Sequence, residues 1–555
     1  MLITAYIILA ITAIYLIVYY YRKGYGLTRR KEELKQEWGE AKNGRYFDFD
    51  LIENYFLNTI TDSANKLQLI SDKIANDLYL NDVFKIVDRT VSKLGQQYLY
   101  ARLRTLDKDT TEVLAQDRLA EKMATDEDFR IKTQLVLQNL DKADSYYYQD
   151  LIFSEPISRP PFLPVVYFLT LLNVCCLIMA LFRPGYWLVF MGIFIVNSAF
   201  HYLNKKIVDL HTSSLKEFIK VYEATLILDA DPVLNKEFPE TTEVMKKLAP
   251  LKRRMAGVKL ETMTEGDLAM PLYLVVELVK IAFNIEIIIF YSIIDHVRKY
   301  NKELKKIFVY IGTIDTAISI ASYRSSLDYY CKPNFTDTAQ MELLGVKHPL
   351  IVGCVPNDLE LKNKNLLLTG SNMSGKTTFI RAVGVNMILA QTINTCTAKQ
   401  FSMPYSKIFS SITIADNLLE ERSYYFEEMT IIKNFIDESS SANPCFFILD
   451  EIFKGTNTIE RVSAGKAILS YLANSNNFVF VSTHDTELNE LLKDQYDLYH
   501  FSETIDSEEL IFDHLIKKGP LTTRNAIRIL EINDYPPAII VDANATVDLL
   551  AKANL

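Results

Sequence analysis

Three apolar runs constrain this chain most, because none of them contains an Asp, Glu, Lys or Arg: Leu2 to Tyr21, Leu163 to Phe182 and Trp187 to Leu203. A helix needs about 17 to 25 residues to cross the hydrocarbon of a bilayer, and all three runs have that length. A wholly soluble protein is therefore not expected. The six cysteines have no metal-ligand spacing, and 555 residues are enough for several domains without disulfides.

The first run predicts an uncleaved N-terminal membrane anchor that comprises residues 1–31. It lacks the basic start and the small-residue cleavage site of a secretory signal. Basic residues follow it at once, and by the positive-inside rule they keep that side cytoplasmic: Arg22, Lys23, Arg29, Arg30 and Lys31. The N-terminus is then expected to face outward.

The second and third runs predict a transmembrane hairpin within residues 156–206, because the turn between them spans only Arg183 to Tyr186. A buried helical hairpin in a soluble core is the alternative, although neither run has a polar face. A fourth apolar region, Leu268 to Ile294, contains three charged residues. Charges are costly at the centre of a bilayer, so this region predicts one long packed helix.

The remaining sequence predicts a multidomain protein. Apolar residues at helical spacing predict all-α regions over residues 32–155 and 207–335. From about residue 336, short apolar runs alternate with helical stretches, as in an α/β domain with a mostly parallel sheet. The runs that predict strands are Leu366 to Leu368, Phe446 to Leu449 and Phe478 to Val481. A net charge of −9 provides no global basic field for nucleic acid.

A phosphate-binding loop is predicted between the first of these strands and a helix that begins near Thr378. The pattern G-x-x-x-x-G-K-T is formed by Gly370, Ser371, Asn372, Met373, Ser374, Gly375, Lys376 and Thr377. Its backbone N–H groups can surround phosphate oxygens at a helix N-terminus. The lysine would neutralise the β and γ phosphates of ATP, and the threonine hydroxyl would bind Mg²⁺.

Acidic and imidazole side chains follow the other two predicted strands. Asp450 would hold Mg²⁺, and Glu451 would orient and deprotonate the attacking water. His484, after the third strand, can sense the γ-phosphate or serve only as a hydrogen-bonded structural residue.

These segments resemble the motifs of the MutS family. Residues 369–378 (TGSNMSGKTT) resemble its phosphate loop, 449–458 (LDEIFKGTNT) its acidic strand, 483–488 (THDTEL) its THYxEL segment and 422–429 (RSYYFEEM) its RSTFMVEM segment. Residues 87–106 are also similar to the family's helical core. Residues 314–321, 347–349 and 355–358 resemble the end of its lever and the start of its ATPase domain, and residues 512–520 (FDHLIKKGP) resemble the segment whose histidine packs on adenine.

The resemblance implies an ABC-type ATPase over residues 336–555 that uses ATP and Mg²⁺ and works as a homodimer. Ser423 matches a serine that acts in trans on the partner's nucleotide. His514 matches a histidine that packs on adenine, and Thr378 closes the phosphate loop. Residues 32–155 would be the helical core, and residues 207–335 would be a lever with a reduced clamp.

Several departures from the family pattern affect function. No counterpart of the mismatch-reading N-terminal domain is present, so mismatch recognition is not expected. Cys354 stands where an aromatic residue often stacks on adenine, which would loosen nucleotide selectivity. Glu420 and Glu421 precede the Arg-Ser signature and would slow hydrolysis.

Basic residues between the hairpin and the ATPase region are candidates for DNA contact, with Lys252, Arg253 and Arg254 at their centre. A solvated helix face and attraction to anionic lipid are the alternatives. Overall, we expect a multi-pass membrane ATPase with its ATPase domain in the cytoplasm and DNA as a partner. A membrane mechanochemical or transporter-type ATPase without DNA binding is the alternative, as is a nucleotide-sensing scaffold.

Overall fold

The computed structural model describes the chain in two compact units. The described residues are 25–42, 44–60, 66–153, 159–255, 270–336, 340–362, 365–413, 424–453, 456–474, 476–506, 509–521, 526–532 and 534–552. The helical unit comprises residues 1–61, 88–101 and 118–325, and the α/β unit comprises residues 62–87, 102–117 and 326–555. Each unit therefore combines segments that are separated in the sequence.

The named helices are α1 Phe49–Thr59, α2 Asp72–Asp77, α3 Leu80–Val87, α4 Lys93–Leu103, α5 Thr111–Thr125, α6 Glu127–Leu137, α7 Asp150–Phe153, α8 Leu163–Ala180, α9 Tyr186–Asp229, α10 Pro232–Glu237, α11 Thr241–Arg254, α12 Met270–Ala282, α13 Ile285–Lys299, α14 Asn301–Ser325, α15 Lys376–Ile393, α16 Tyr424–Ser439, α17 Thr458–Leu472, α18 Glu487–Leu492, α19 Ala526–Ile532 and α20 Pro537–Lys552. Short 3₁₀ turns cover Gln138–Leu140, Ala143–Gln149 and Asn372–Ser374.

The strands are β1 Lys66–Leu69, β2 Thr105–Asp107, β3 Asn334–Phe335, β4 Gln340–Val346, β5 Asn357–Lys362, β6 Asn365–Thr369, β7 Gln400–Met403, β8 Lys407–Ser411, β9 Cys445–Asp450, β10 Phe478–Ser482, β11 Tyr496–Asp506 and β12 Glu509–Lys518. They form a two-stranded sheet (β1-β2), a six-stranded sheet (β12-β11-β6-β10-β9-β8) and a four-stranded sheet (β3-β7-β4-β5).

The six-stranded sheet forms the core of the α/β unit. Strands β11, β6, β10, β9 and β8 are parallel neighbours, and β12 adds an antiparallel edge. Every residue of β6 and β10 is buried, which explains why both read as uninterrupted apolar runs. The prediction of a parallel α/β region is therefore confirmed, with all three expected strands side by side.

The prediction that residues 32–155 are all helical is wrong at two short strands. β1 and β2 pair antiparallel and belong to the α/β unit. The Gln68 side-chain amide makes two hydrogen bonds to the backbone of Ile408 in β8. Its Nε2 donates to the Ile408 carbonyl, and its Oε1 accepts from the Ile408 N–H, each at 2.7 Å. Strand formation here depends on this contact across 340 residues, which local periodicity does not reveal.

The predicted hairpin is present as α8 and α9, but α9 is much longer than the apolar run that begins it. It continues for 44 residues to Asp229. No glycine or proline occurs between Ile193 and Asp229, so nothing in the local sequence interrupts the helix. These are the two described helices that are long and apolar enough to cross a membrane. The predicted anchor, Leu2 to Tyr21, lies outside the described residues.

The fourth apolar region forms two helices, so the prediction of a single long helix is wrong. α12 ends at Ala282 and α13 begins at Ile285. Between them, Asn284 adopts a left-handed conformation with φ of 49°, which asparagine tolerates better than most residues. Side chains from other helices bind the carbonyl groups exposed at this break, so the interruption is a tertiary feature.

Candidate nucleotide site

The predicted phosphate loop connects β6 to α15. Its two glycines both have positive φ, 141° at Gly370 and 114° at Gly375. A Cβ on Gly370 would lie 2.7 Å from the Phe501 carbonyl oxygen, so a side chain there would meet backbone. Between the glycines the loop makes a 3₁₀ turn, and α15 begins at Lys376. Free N–H groups at the start of this helix provide an anion-binding end.

Lys376 is fully buried although it carries a charge. Its Nζ donates to the Gly370 carbonyl within the loop and lies 3.5 Å from Nε2 of His484. The ammonium is therefore held where the loop would surround phosphate groups. A hydrogen bond within the loop also stabilises it, because Ser374 Oγ donates to the Ser371 carbonyl at 2.6 Å.

A hydroxyl and a carboxylate meet beside the loop. Thr377 Oγ1 donates to Asp450 Oδ2 at 2.8 Å, and the Ser482 hydroxyl binds the other oxygen of Asp450. Asp450 and Ser482 are register partners at the ends of the parallel strands β9 and β10. Parallel pairing thus brings the two predicted Mg²⁺ ligands, Thr377 and Asp450, together at one sheet edge.

Glu451 and His484 form the next layer of the site. Glu451 Oε1 lies 3.3 Å from His484 Nε2, and the Glu451 N–H donates to the Ser482 carbonyl at 2.9 Å. Glu451 has a left-handed backbone with φ of 56°. A non-glycine residue in this conformation is uncommon and is found most often at functional sites. Here it orients the carboxylate toward the histidine.

Two supporting contacts were not anticipated from the sequence. Arg461 of α17 forms a bidentate ion pair with Asp485, with distances of 2.9 Å from Nε and 2.6 Å from Nη2. This pair fixes the residue that follows His484. Glu428 of α16 is buried and accepts a 2.6 Å bond from the Phe453 N–H, which constrains the turn after Glu451. Neither pairing has a local signal, because the partners are 24 and 25 residues apart.

A cavity of about 360 Å³ adjoins the phosphate loop. Its lining includes five residues that the sequence singled out: Cys354, Met373, Gly375, Thr378 and His514. His514 Nδ1 donates to the Ser374 carbonyl at 3.0 Å, and His514 has a positive φ of 52°. The cavity position is suitable for a nucleoside next to bound phosphates.

His348, for which the sequence predicted no role of its own, also lines this cavity. Burial, with a smaller contribution from the charge of Arg381, lowers the pKa of His348 to about 4. The imidazole is therefore neutral at pH 7, and it accepts a 3.3 Å bond from the Leu350 N–H. A neutral ring suits the wall of a pocket for a nucleobase.

The other predicted site residues are not part of this cluster. Ser423, Glu420 and Glu421 lie outside the described residues, and for Asn372 only the backbone is described. Lys252, Arg253 and Arg254 are at the end of α11 in the helical unit. Lys252 lies over the Tyr222 ring at 4.9 Å, whereas both arginines are exposed.

The strand–loop–helix geometry, the buried lysine and the paired threonine and aspartate define the class of phosphate-loop α/β proteins. Residues 366–551 match the family model for MutS domain V. The DNA mismatch repair protein MutS of Listeria welshimeri is 28% identical over 285 residues, which cover 49% of this chain and 33% of that protein. MutS of Fusobacterium nucleatum is 29% identical over 257 residues, or 42% of this chain and 28% of that protein. Residues 366–551 are therefore similar to MutS domain V, and the similarity to MutS proteins extends over about half of the chain.

MutS of Listeria monocytogenes gives the same result, with 29% identity over 281 residues, 48% of this chain and 32% of its own length. The chain thus spans about a third of the length of the curated relatives that it matches. The similarity concerns the matched region, and the activities of the whole relatives enter only as proposals for this chain.

Proposed function

We propose that this chain is an ATPase that hydrolyses ATP to ADP and phosphate with Mg²⁺ at the site described above. The observation that carries the proposal is the 2.8 Å bond from the Thr377 hydroxyl to the Asp450 carboxylate, next to the buried ammonium of Lys376. Oxygen ligands of this type suit Mg²⁺, which prefers one or two carboxylates and hydroxyl groups together with phosphate oxygens. Bound Mg²⁺ would neutralise charge on the phosphates.

Groups of the protein itself bind the phosphates, accept a proton from water and position the catalytic side chains. Lys376 binds the β and γ phosphates, and the N–H groups at the start of α15 donate hydrogen bonds to the phosphate oxygens. Glu451 takes a proton from the attacking water. His484, 3.3 Å from Glu451, orients that carboxylate and contacts the γ-phosphate side of the site. The Arg461–Asp485 pair keeps His484 in position.

The cavity beside the loop is the proposed adenosine pocket. Met373, Cys354 and the neutral His348 offer an apolar and weakly polar wall, and His514 closes one side. Cys354 takes the place of an aromatic stacking residue, so discrimination against other purines would be weak. We therefore expect limited selectivity for ATP over GTP.

Replacing the proposed base tests the reaction directly. Glu451→Gln should retain ATP binding and lose at least about 100-fold in turnover, which is the usual contribution of general-base catalysis. Phosphate release and nucleotide affinity of the purified full chain would be measured together. Glu490→Gln is the matched control, because Glu490 on α18 is exposed and pairs with Lys493 just after the helix. Equal turnover of Glu451→Gln and the wild type would remove Glu451 from this role.

Homodimerisation and DNA binding are further parts of the proposal. The Arg422–Met429 segment supports a dimer in which Ser423 of each chain reaches the partner's nucleotide. For DNA, the exposed Arg253 and Arg254 with Lys252 are the candidate contacts.

DNA binding can be tested by its salt dependence. Duplex DNA should stimulate ATP hydrolysis, and its binding should weaken steeply between about 50 and 200 mM salt, because phosphate contacts release counterions. The triple variant Lys252→Ala, Arg253→Ala, Arg254→Ala should reduce both effects, whereas Lys433→Ala on the exposed face of α16 should reduce neither. Binding that is absent, or that is insensitive to salt, would contradict DNA as the partner.

Membrane localisation is also proposed, with the ATPase domain in the cytoplasm. Only 28% of the apolar stretch of α8 and 17% of that of α9 are buried, so most of their apolar side chains point outward. A core helix of a soluble protein would be mostly buried instead. The same observation favours the second candidate function, an ATPase that acts mechanically on membrane helices without DNA. A nucleotide-sensing scaffold with little turnover is the third.

A further inference from the structure

Two cysteines of the α/β unit lie directly opposite each other, one just before β3 and one just after α15. Cys331 and Cys396 form an antiparallel bridge, and neither is in a disulfide. The Cys331 N–H donates to the Cys396 carbonyl at 3.0 Å, and the Cys396 N–H donates to the Cys331 carbonyl at 2.9 Å. The Cα atoms of such a pair are about 5.5 Å apart. This spacing lies within the range of about 4.4 to 6.8 Å that a disulfide spans.

The backbone around the pair is held by contacts that do not involve the thiols. Beyond Cys331, Asn334 of β3 pairs in register with Ser402 of β7. Beyond Cys396, the Thr397 N–H donates to Oδ1 of Asn386 on α15 at 2.6 Å, and the Thr397 carbonyl accepts from the Lys347 N–H at 2.9 Å. The two cysteines are therefore kept opposite each other by the sheet and by α15.

The two thiols differ in access to solvent. Cys331 is half-buried, whereas Cys396 is fully buried. A hydrogen bond with the Cys396 thiol lowers the pKa of Cys331, and this effect exceeds the opposing effect of burial. The thiolate is the reactive form of cysteine. Cys331 is thus suited to attack a reagent from solution, and Cys396 is placed to attack Cys331 in turn.

Cys445 shows what a cysteine without such a partner looks like in the same unit. It is buried at the start of β9, and its thiol donates to the Glu438 carbonyl at 3.5 Å. Burial raises the pKa of Cys445. A buried thiol with a raised pKa reacts slowly with oxidants, because little of it is ionised.

We propose that Cys331 and Cys396 are a redox-active pair that a small-molecule disulfide of the glutathione type oxidises reversibly. The Cys331 thiolate attacks one sulfur of that disulfide, so a mixed disulfide forms and one small thiol leaves with the proton of Cys331. Cys396 then attacks the Cys331 sulfur, and the second small thiol leaves with the proton of Cys396. The protein pair loses two electrons and two protons, and the small disulfide gains both as two thiols.

The backbone geometry favours a reversible bond. Directly opposite Cβ atoms in an antiparallel pair are about 4.5 to 5.5 Å apart, whereas a relaxed disulfide needs about 3.5 to 4.5 Å. Bond formation therefore draws the two segments together, and a disulfide under strain is more easily reduced. Labile disulfides of this kind are the ones that serve a redox role in a reducing compartment.

This pair is separate from the nucleotide site. Neither cysteine is among the described residues that line the cavity beside the phosphate loop. The proposal therefore does not rest on ATP hydrolysis, and its test measures thiols rather than turnover.

The test uses the purified full chain in lipid nanodiscs, freed of reductant and incubated with glutathione disulfide. Remaining thiols would be alkylated in denaturant and counted by mass spectrometry, and an unreduced digest would identify the linked peptides. Two of the six thiols should be lost, with Cys331 linked to Cys396, and an excess of reduced glutathione should restore both. Six free thiols after oxidation, or a disulfide that joins other cysteines, would overturn the proposal.

Three variants assign the roles of the two thiols. Cys396→Ser should stop at the mixed disulfide, with one glutathione on Cys331, and Cys331→Ser should keep all its remaining thiols free. Cys354→Ser is the matched control, because Cys354 is also half-buried but its thiol donates to the Val355 carbonyl at 3.6 Å. The control should form the Cys331–Cys396 disulfide as the wild type does. Loss of that disulfide in Cys354→Ser would contradict the pairing, and the wild-type digest decides the question even where a variant fails to fold.

Discussion

Asp88 and Asp315 of the helical unit are fully buried, and folding shifts the pKa values of these two carboxylates in opposite directions. Burial alone would raise the pKa of Asp88, but its ion pair with Lys42 at 2.8 Å and its bonds to Thr90 lower it below the usual value. Burial raises the pKa of Asp315 to about 6, against the bonds it accepts from Ser92 and the Val91 N–H. The two pKa shifts differ in direction because Asp88 is bonded directly to a lysine ammonium, whereas Asp315 is bonded to hydroxyl and N–H groups.

The pH dependence of stability should reveal Asp315. Its pKa rises on folding, so its contribution is complete below about pH 4 and is lost as the pH rises through 6. This loss amounts to roughly 3 kcal/mol, at about 1.4 kcal/mol for each pH unit. Unfolding of the wild type and of Asp315→Asn would be compared between pH 4 and 7, and only the wild type should show the decline.

Asp144→Asn, at an exposed position, is the control and should retain the wild-type pH profile. Asp88 contributes with the opposite sign, because its pKa falls on folding. Its contribution is present above about pH 4 and disappears in more acidic solution. A wild-type profile that is flat between pH 4 and 6 would contradict the shifted pKa of Asp315.

At the scale of elements, α4 and α14 approach so closely that glycine is required on both. A Cβ on Gly312 would lie 2.4 Å from Cγ of Tyr98, and a Cβ on Gly95 would overlap Asp315. Glycine in the middle of a helix costs about 0.5 to 1 kcal/mol relative to alanine. At Gly312 this loss of helix stability is offset, because the absence of a side chain lets α4 and α14 pack at short range.

Gly312→Ala should therefore destabilise the helical unit by about 1 to 3 kcal/mol despite its better helix propensity, since overpacking outweighs the gain. Gly192→Ala is the matched control within α9, where an added Cβ meets nothing within 4 Å. The control should be neutral or slightly stabilising. Equal unfolding midpoints for the two variants would show that the contact with Tyr98 is unimportant.

At the scale of the whole molecule, segments that are distant in sequence join the α/β unit. We predicted continuous domains with boundaries near residues 155, 206 and 335, whereas residues 62–87 and 102–117 group with residues 326–555. The buried Asp77 carboxylate explains part of this grouping. It accepts bonds from Ser410 Oγ at 2.8 Å and from the Thr413 N–H at 2.9 Å.

Membrane insertion can be tested on the outward faces of the hairpin. Leu171 is 65% exposed and Ile195 is 69% exposed. The double variant Leu171→Lys, Ile195→Lys should reduce recovery of folded protein from the membrane fraction several-fold, because a lysine at the centre of a membrane helix costs about 3 kcal/mol. Tyr471→Lys, on an exposed position of α17, should change nothing. Greater recovery of the double variant in the soluble fraction would indicate a soluble hairpin.

The sequence by itself identified the residues of the candidate nucleotide site. The phosphate loop, Asp450, Glu451 and His484 each follow a short apolar strand, and parallel strands bring such positions to one edge whatever the rest of the fold. Their signals are local, because each lies within a strand–loop–helix segment of about ten residues. The sequence also predicted the apolar hairpin locally, because its two runs contain no charged residue.

Only the tertiary structure decided the features that join distant segments. The break at Asn284 depends on amides from α8 and α9, and the strand β1 depends on a bond between Gln68 and β8. Each is stabilised by partners between about 85 and 340 residues away, so its energy is absent from any local window of sequence. Helical periodicity continues across the break, which is why the sequence predicted one helix where the packed bundle has two.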